Sequence, residues 1–126
     1  MQVLKTRWFA RFARQEKIAD AGLREAIERA ERGLVDADLG GGLVKQRVAR
    51  QGQGRSGGYR VLVAYREKNR AIFLFGFAKS DQENVGSDEL AFLRELAKNW
   101  LAADTAKIRN EIEAGNIQEI EDDKET

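Results

Sequence analysis

Three consecutive stretches with strand-like patterning most constrain the fold of this chain. Residues 43–50, LVKQRVAR, and residues 59–66, YRVLVAYR, place alternate side chains on opposite faces. Residues 71–77, AIFLFGF, are apolar on both faces, which indicates the central and most buried strand. A glycine-rich loop and a charged turn join the three stretches, so we predict an antiparallel meander.

Helical patterning precedes these strands. After a weak strand signal at residues 2–4, apolar spacing predicts a helix from Thr6, and Asp20 is predicted to cap a second helix that ends near Gly33. Because the link between the two helices is short, we expect them to form an antiparallel pair. Their predicted buried positions are Trp8, Phe9, Phe12, Ala13, Leu23, Ala26, Ile27, Ala30 and Leu34.

Two more helices are predicted after the strands. Ser87 is expected to cap the first, and Asp104 to begin the second, which ends at Gly115. The element order predicts one α+β domain over residues 1–115, in which an antiparallel sheet packs with two N-terminal helices and one or more C-terminal helices. Residues 116–126 are expected to form a flexible acidic tail.

The distribution of charge is uneven along the chain. Its net charge is only +1, but residues 111–126 carry seven acids and one base, so the remainder carries a net charge of +7. Residues 39–66 contain no acid and six bases, which are Lys45, Arg47, Arg50, Arg55, Arg60 and Arg66. Because strands would hold Lys45, Arg47 and Arg60 at fixed positions, we interpret them as an anion-binding surface. The alternative is an incidental basic face.

The glycine-rich loop contains Gly52-x-Gly54-x-x-Gly57, which has the spacing of a dinucleotide-binding fingerprint. That site requires a strand before the glycines and a helix after them, so that the helix N-terminus meets the pyrophosphate. Here a strand-like stretch follows the glycines. The pattern therefore favours a hairpin loop over a cofactor site.

The residue types that are missing exclude several kinds of chemistry. The chain has no cysteine and no histidine, which rules out disulfides, the common zinc sites and any mechanism that needs imidazole. Carboxylates alone could still hold magnesium, but we expect no cofactor. The N-terminal residues lack an apolar run typical of a signal peptide, and no segment approaches membrane-spanning length. We therefore expect a cytoplasmic protein with no membrane partner.

Four segments carry a family resemblance: WFARFAR, GLVDADLGGGLVKQRVAR, GRSGGYRVLVAYR and IFLFGFAKSDQENV. Through them the chain resembles the RelE/ParE superfamily of type II toxins, and within it the HigB-like toxins. The resemblance implies a RelE-like domain that cuts mRNA on the ribosome without a metal, by attack of a ribose 2′-hydroxyl on the neighbouring phosphate. It also implies a cognate antitoxin, of the helix-turn-helix type, as a partner beside the ribosome and mRNA.

The resemblance also implies roles for individual residues. Its catalytic positions match Lys45, Arg47, Arg60 and Lys79. Arg47 and Arg60 would hold the phosphate, and Lys45 or Lys79 would transfer protons. The loop residues Arg50 and Arg55 would contact the RNA backbone.

Several positions keep alternative interpretations open. Some family members carry a Tyr or His near the end of the fourth strand or the C-terminus, whereas here Asp81, Glu83 and Glu89 are the candidates for a general base. The basic set could instead bind only the acidic segment of an antitoxin. Two other functions remain: a non-enzymatic toxin like the gyrase-directed branch, and an inactive nucleic-acid-binding member. Trp8, Phe12 and Trp100 are expected in the core rather than as stacking platforms.

Overall fold

The structure is a computed structural model that describes residues 1–50, 57–82 and 84–120. The described elements, in chain order, are β1 (Gln2–Thr6), α1 (Arg7–Glu16), α2 (Asp20–Glu31), β2 (Ala37–Gly40), β3 (Leu43–Val48), β4 (Tyr59–Arg66), β5 (Arg70–Ala78), α3 (Ser87–Ala102), α4 (Thr105–Glu113) and β6 (Ile117–Glu119). The predicted α+β class is confirmed.

The strands form one sheet in the order β2-β3-β4-β5-β1-β6. Strands β3, β4 and β5 make the predicted antiparallel meander. The sheet as a whole is mixed rather than antiparallel, because β1 runs parallel to β5 and pairs Gln2 with Arg70. Strand β5 lies between β4 and β1 and is buried along nearly its whole length, as its two apolar faces predicted.

Helices cover both faces of the sheet. One core cluster packs Phe9 of α1 and Leu23 of α2 against the face that carries Val61. The other packs Leu93 of α3 and Ile108 of α4 against the opposite face. Strand β5 has a bulge where its pairing shifts between Leu62 and Val63 of β4.

The predicted starts of the four described helices each differ from the structure by one residue; helix α1, for example, begins at Arg7 with Thr6 as its N-cap. Helix α2 begins with Asp20 itself, and its N-cap is Ala19; the Asp20 carboxylate is bound to Lys5, 2.9 Å away, instead of to the helix backbone. Helix α3 begins at Ser87 after Gly86 as N-cap. Asp104, predicted to begin α4, is its N-cap, and its side chain accepts a hydrogen bond from the backbone N–H of Lys107.

The prediction of burial is wrong for two residues. Trp8 is 45% exposed and Leu34 is 55% exposed. The ring of Trp8 stacks against those of Phe12 and Phe75, but it also lines an open groove beside α3, which leaves it partly exposed. Helix α2 ends at Glu31, and Gly33 adopts a positive φ of 85°, so Leu34 no longer continues the buried stripe of the helix.

Packed structure continues beyond the predicted domain end at residue 115. Strand β6 pairs with β1 in antiparallel register, from Leu4 opposite Glu119 to Thr6 opposite Ile117. Ile117 and Ile120 are both buried. The folded part of the chain therefore reaches residue 120, and the expected flexibility of residues 121–126 concerns residues outside the described ranges.

A polar network around Glu31 fixes the turn between β4 and β5 to the end of α2. The Glu31 carboxylate accepts hydrogen bonds from the hydroxyl of Tyr65 and from the backbone N–H of Lys68, 3.0 Å away. Burial acts to raise the pKa of Glu31, but these two hydrogen bonds outweigh it and lower the pKa. Burial and the carboxylate also raise the pKa of the Tyr65 hydroxyl.

Among the described residues, none of the helices combines the length and the apolar character needed to cross a membrane.

Candidate nucleic-acid interface

Three of the predicted basic residues lie together on the α3 face of the sheet. Arg47 of β3 is directly opposite Arg60 of β4, and Lys45 is opposite Leu62, one step along the same face. Leu62 packs in the core cluster under α3, whereas Arg47 lies outside that cluster and is exposed to solvent. The pairing of β3 with β4 thus concentrates cations at the edge of an apolar layer.

Arg60 is the buried member of this group, with 8% of its surface exposed. One of its guanidinium nitrogens donates to the carbonyl of Tyr59, 3.4 Å away. Burial lowers the pKa of Arg60, the positive charge of Arg47 lowers it further, and the carboxylate of Asp36 raises it. A guanidinium stays protonated under such influences, so Arg60 is a positive charge held in a partly desolvated position. An anion between Arg47 and Arg60 would relieve their repulsion.

Arg47 is held in place by two residues that the sequence patterns did not identify. Asp36 accepts a hydrogen bond from the backbone N–H of Arg47 at 2.7 Å. Arg29 of α2 donates to the carbonyl of Arg47 and reaches the Asp36 carboxylate at 3.3 Å. Because Arg29 is only 5% exposed, it is an anchor and not a ligand-binding cation. Its position beside Ala26 and Ala30 on the buried face of α2 was the signal that could have revealed this role.

Gln46, between Lys45 and Arg47 in sequence, anchors β3 from the opposite face. It is fully buried, and its amide donates to the carbonyls of Ala26, at 2.9 Å, and Leu34, at 3.2 Å. Its carbonyl oxygen accepts from the backbone N–H of Asp36 at 2.7 Å. The strand that carries the two cations is therefore tied firmly to α2 and to the segment that follows it.

The segment after β5 approaches the basic face from the side of Lys45. The Lys45 ammonium donates to the side-chain oxygen of Asn84, 3.2 Å away. Lys79 is exposed, and its backbone N–H donates to the carbonyl of Gly58, just before β4. Lys79 therefore lies at the end of the sheet where β4 begins, one residue before Arg60, although its side chain makes no described contact with Arg60.

Gly58 allows the close approach of β3 and β4 at the root of the glycine-rich loop. A Cβ atom on Gly58 would lie 2.3 Å from the carbonyl oxygen of Val48 and 2.7 Å from the backbone nitrogen of Arg50. Both contacts are with backbone, which cannot move aside without breaking the pairing that aligns Arg47 with Arg60. The paired strands that carry Arg47 and Arg60 therefore require glycine at position 58, the second glycine of the SGGY segment.

Of the two predicted RNA-contacting residues, the structure describes Arg50, which does not join the basic group. Arg50 turns to the opposite face of the sheet, where its guanidinium lies 5.6 Å from the centre of the Tyr59 ring. Arg55 lies outside the described residues. Of the candidate general bases, Asp81 and Glu89 are exposed and Glu83 is outside the described residues. Asp36 is the carboxylate whose charge acts on Arg60.

Acidic side chains are not grouped in a way that would suit a metal ion: in residues 1–50, 57–82 and 84–120, no three of them cluster with metal-binding geometry.

The fold and the site define a class of protein. It is a small domain with helices on both faces of a mixed sheet and two arginines at opposed positions of neighbouring strands. The family described as RelE toxin of RelE / RelB toxin-antitoxin system matches residues 1–120. The chain belongs to this RelE toxin family, and membership implies a cognate antitoxin as its partner. Comparison with curated proteins finds no matching relative.

Proposed function

We propose that this toxin is a ribosome-dependent mRNA endonuclease of the HigB-like branch, acting in the cytoplasm and restrained by an antitoxin of the helix-turn-helix type. Members of the RelE family are generally mRNA-cleaving endoribonucleases. The observation that carries the proposal is the opposition of Arg47 and Arg60, with Lys45 one step away on the same face. This is a fixed set of cations of the kind that stabilises a phosphate as its negative charge grows.

In the proposed reaction the ribose 2′-oxygen attacks the adjacent phosphorus, and the bond from phosphorus to the 5′-oxygen of the next nucleotide breaks. The 2′-hydroxyl loses its proton to a base, and the departing 5′-oxygen gains one from an acid. The products are a cyclic phosphate and a 5′-hydroxyl end. Lys45 and Lys79 are our candidates for these proton transfers, because both are primary amines near the arginine pair. Lys45 is one step from Arg47 on the same face, and the backbone of Lys79 bonds to Gly58, two residues before Arg60.

Arg47 and Arg60 would hold the non-bridging oxygens. A guanidinium presents its N–H donors in a planar fork, which can bind two oxygens of one phosphate at once. Arg29 and Asp36 fix the backbone of Arg47, so the reorganisation needed when the phosphate arrives is confined to the Arg47 side chain. Removing one such preorganised donor typically costs about 100- to 1,000-fold in rate.

The test is a reconstituted translation reaction in which new mRNA 5′ ends are mapped by primer extension. Wild-type protein should produce ends at codon-phased positions. Arg47→Ala and Arg60→Ala should each reduce their appearance by about 100- to 1,000-fold, and Lys45→Ala should also reduce it. Arg109→Ala and Lys98→Ala, at exposed positions on α4 and α3, are the matched controls.

Arg47→Ala separates an effect on chemistry from one on folding, because Arg47 is exposed whereas Arg60 is buried. Intact mRNA with wild-type protein would overturn the proposal and favour a non-enzymatic toxin. Cleavage that survives all three substitutions would support the proposed function but show that these residues do not form its site.

A further inference from the structure

A second surface on the α3 face has a different chemical character from the basic group. Trp8 and Phe92 are 45% and 65% exposed, and both line a groove of about 450 Å³ between the start of α1 and α3. The groove's other apolar lining residues are Leu74, Phe75, Leu93, Leu96 and Trp100. Single exposed apolar side chains are common, but large ones that share one groove indicate a binding surface.

A row of aromatic rings connects this groove to the basic group. The Trp8 ring lies 4.8 Å from that of Phe75, with 24° between their planes, and the Phe75 ring lies 6.2 Å from that of Phe77. Phe77 is directly opposite Arg60 in the sheet. The row therefore begins at an exposed ring in the groove and ends beside the arginine pair.

The polar residues at the rim of the groove do not favour an anion. Arg7 is engaged with the carbonyl of Gly115 and the side-chain oxygen of Asn116, at 3.2 and 2.8 Å. Glu89 is exposed and adds a negative charge. The groove is thus suited to an uncharged, flat, apolar group, whereas the neighbouring arginines suit a phosphate.

Single-stranded RNA presents these two chemistries at short intervals, because each nucleotide joins a charged phosphate to a base with a π-face. We propose that Trp8 and Phe92 bind an unpaired base of the RNA strand whose phosphate is held by Arg47 and Arg60. This inference rests on the proposed function and adds a base-binding position to the same site. Trp8 and Phe92 are binding residues here and take no part in bond breaking.

The experiment measures binding of a short RNA made with 2′-O-methyl riboses, which lack the attacking hydroxyl, by fluorescence anisotropy at low salt. A series of otherwise identical strands carries one abasic nucleotide at each position in turn. Wild-type protein should lose about 5- to 150-fold in affinity at one position, the range for loss of one stacked base. In Phe92→Ala and Trp8→Ala the same abasic strand should bind as well as the complete one.

Phe92→Ala is the more informative variant, because an exposed side chain contributes little to folding. Leu34→Ala, at another exposed apolar position, is the matched control and should keep the wild-type pattern. Wild-type protein that tolerates an abasic nucleotide at every position, or binds no strand, would overturn the inference. So would variants that keep the wild-type pattern but lose binding to the antitoxin, which would make the groove a protein-docking surface.

Failure of this inference is distinguishable from failure of the proposed function. The wild-type protein could cleave mRNA at codon-phased positions and yet bind every abasic strand as well as the complete one. That result would support the nuclease and exclude a base-binding groove. Absence of cleavage together with a position-specific abasic effect would indicate an RNA-binding protein that lacks the proposed chemistry.

Discussion

Replacement of Gln46 by Met tests whether the strand that carries Lys45 and Arg47 depends on its buried amide. Methionine has a similar length and no hydrogen-bonding amide, so the change removes three hydrogen bonds without leaving a large cavity. The backbone N–H of Asp36 and the carbonyl of Leu34 lose a buried partner. The carbonyl of Ala26 loses less, because it lies within α2 and takes part in the hydrogen bonding of the helix.

A typical intramolecular hydrogen bond contributes about 0.5–1.5 kcal/mol to stability. With three such bonds lost, we expect Gln46→Met to lower the free energy of unfolding by about 2–3 kcal/mol. For a domain of this size the melting temperature should fall by roughly 10 °C. Because Gln46 lies between the two cations in sequence, mRNA cleavage should also fall at temperatures where the variant remains folded.

Urea unfolding followed by tryptophan fluorescence measures this loss as a shift in midpoint at constant m-value. Gln118→Met, at an exposed position on β6, is the matched control and should change the free energy of unfolding by less than about 0.5 kcal/mol. A loss below about 1 kcal/mol for Gln46→Met would refute the view that these hydrogen bonds hold β3 in place.

Three further predictions concern the framework and the electrostatics of the site. Gly58→Ala should destabilise the fold by about 1–3 kcal/mol because its Cβ would collide with backbone, whereas Gly86→Ala, with open space around it, should be nearly neutral in the same urea titration. The salt dependence of RNA binding should have a logarithmic slope that falls in magnitude by about 0.7 in Arg47→Ala; an unchanged slope would exclude phosphate contact by this residue. Tyr65→Phe should cost about 1 kcal/mol at neutral pH. A carboxyl with a lowered pKa contributes stability above its unfolded pKa and loses it in acid, so this cost should shrink below about pH 4 as Glu31 is protonated. A cost that is equal at both pH values would show that the Tyr65–Glu31 bond is not its source.

The meander could be predicted from sequence because its signal is local. Alternation along β3 and β4 and the two-sided apolar character of β5 are properties of short runs of residues. Strands β2 and β6, with the sequences ADLG and IQE, are too short to show a period, and they form only because a neighbouring strand offers hydrogen-bonding partners. The parallel pairing of β1 with β5 likewise depends on residues far apart in the chain.

The difference between local sequence signals and contacts distant in the chain also explains which residues of the candidate site could be predicted. Alternation places Lys45 and Arg47 on one face and Arg60 on the matching face of the next strand, as the register confirms. The hydrogen bonds of Arg29 and Asp36 with the backbone of Arg47 depend on how α2 packs against β3, which no local pattern encodes. For Trp8, helical spacing identified a face but not the open groove beside α3 that this residue lines.

The position of β1 has a consequence for the biosynthesis of this toxin. Strand β1 lies between β5 and β6, and β6 is made more than a hundred residues after β1. Leu4 therefore remains without its strand partners until residues 72 and 119 have both been made. Contacts of such long sequence separation form late in folding. The sheet can close only after residue 119 has been made, so the nascent toxin carries an incomplete core until that point.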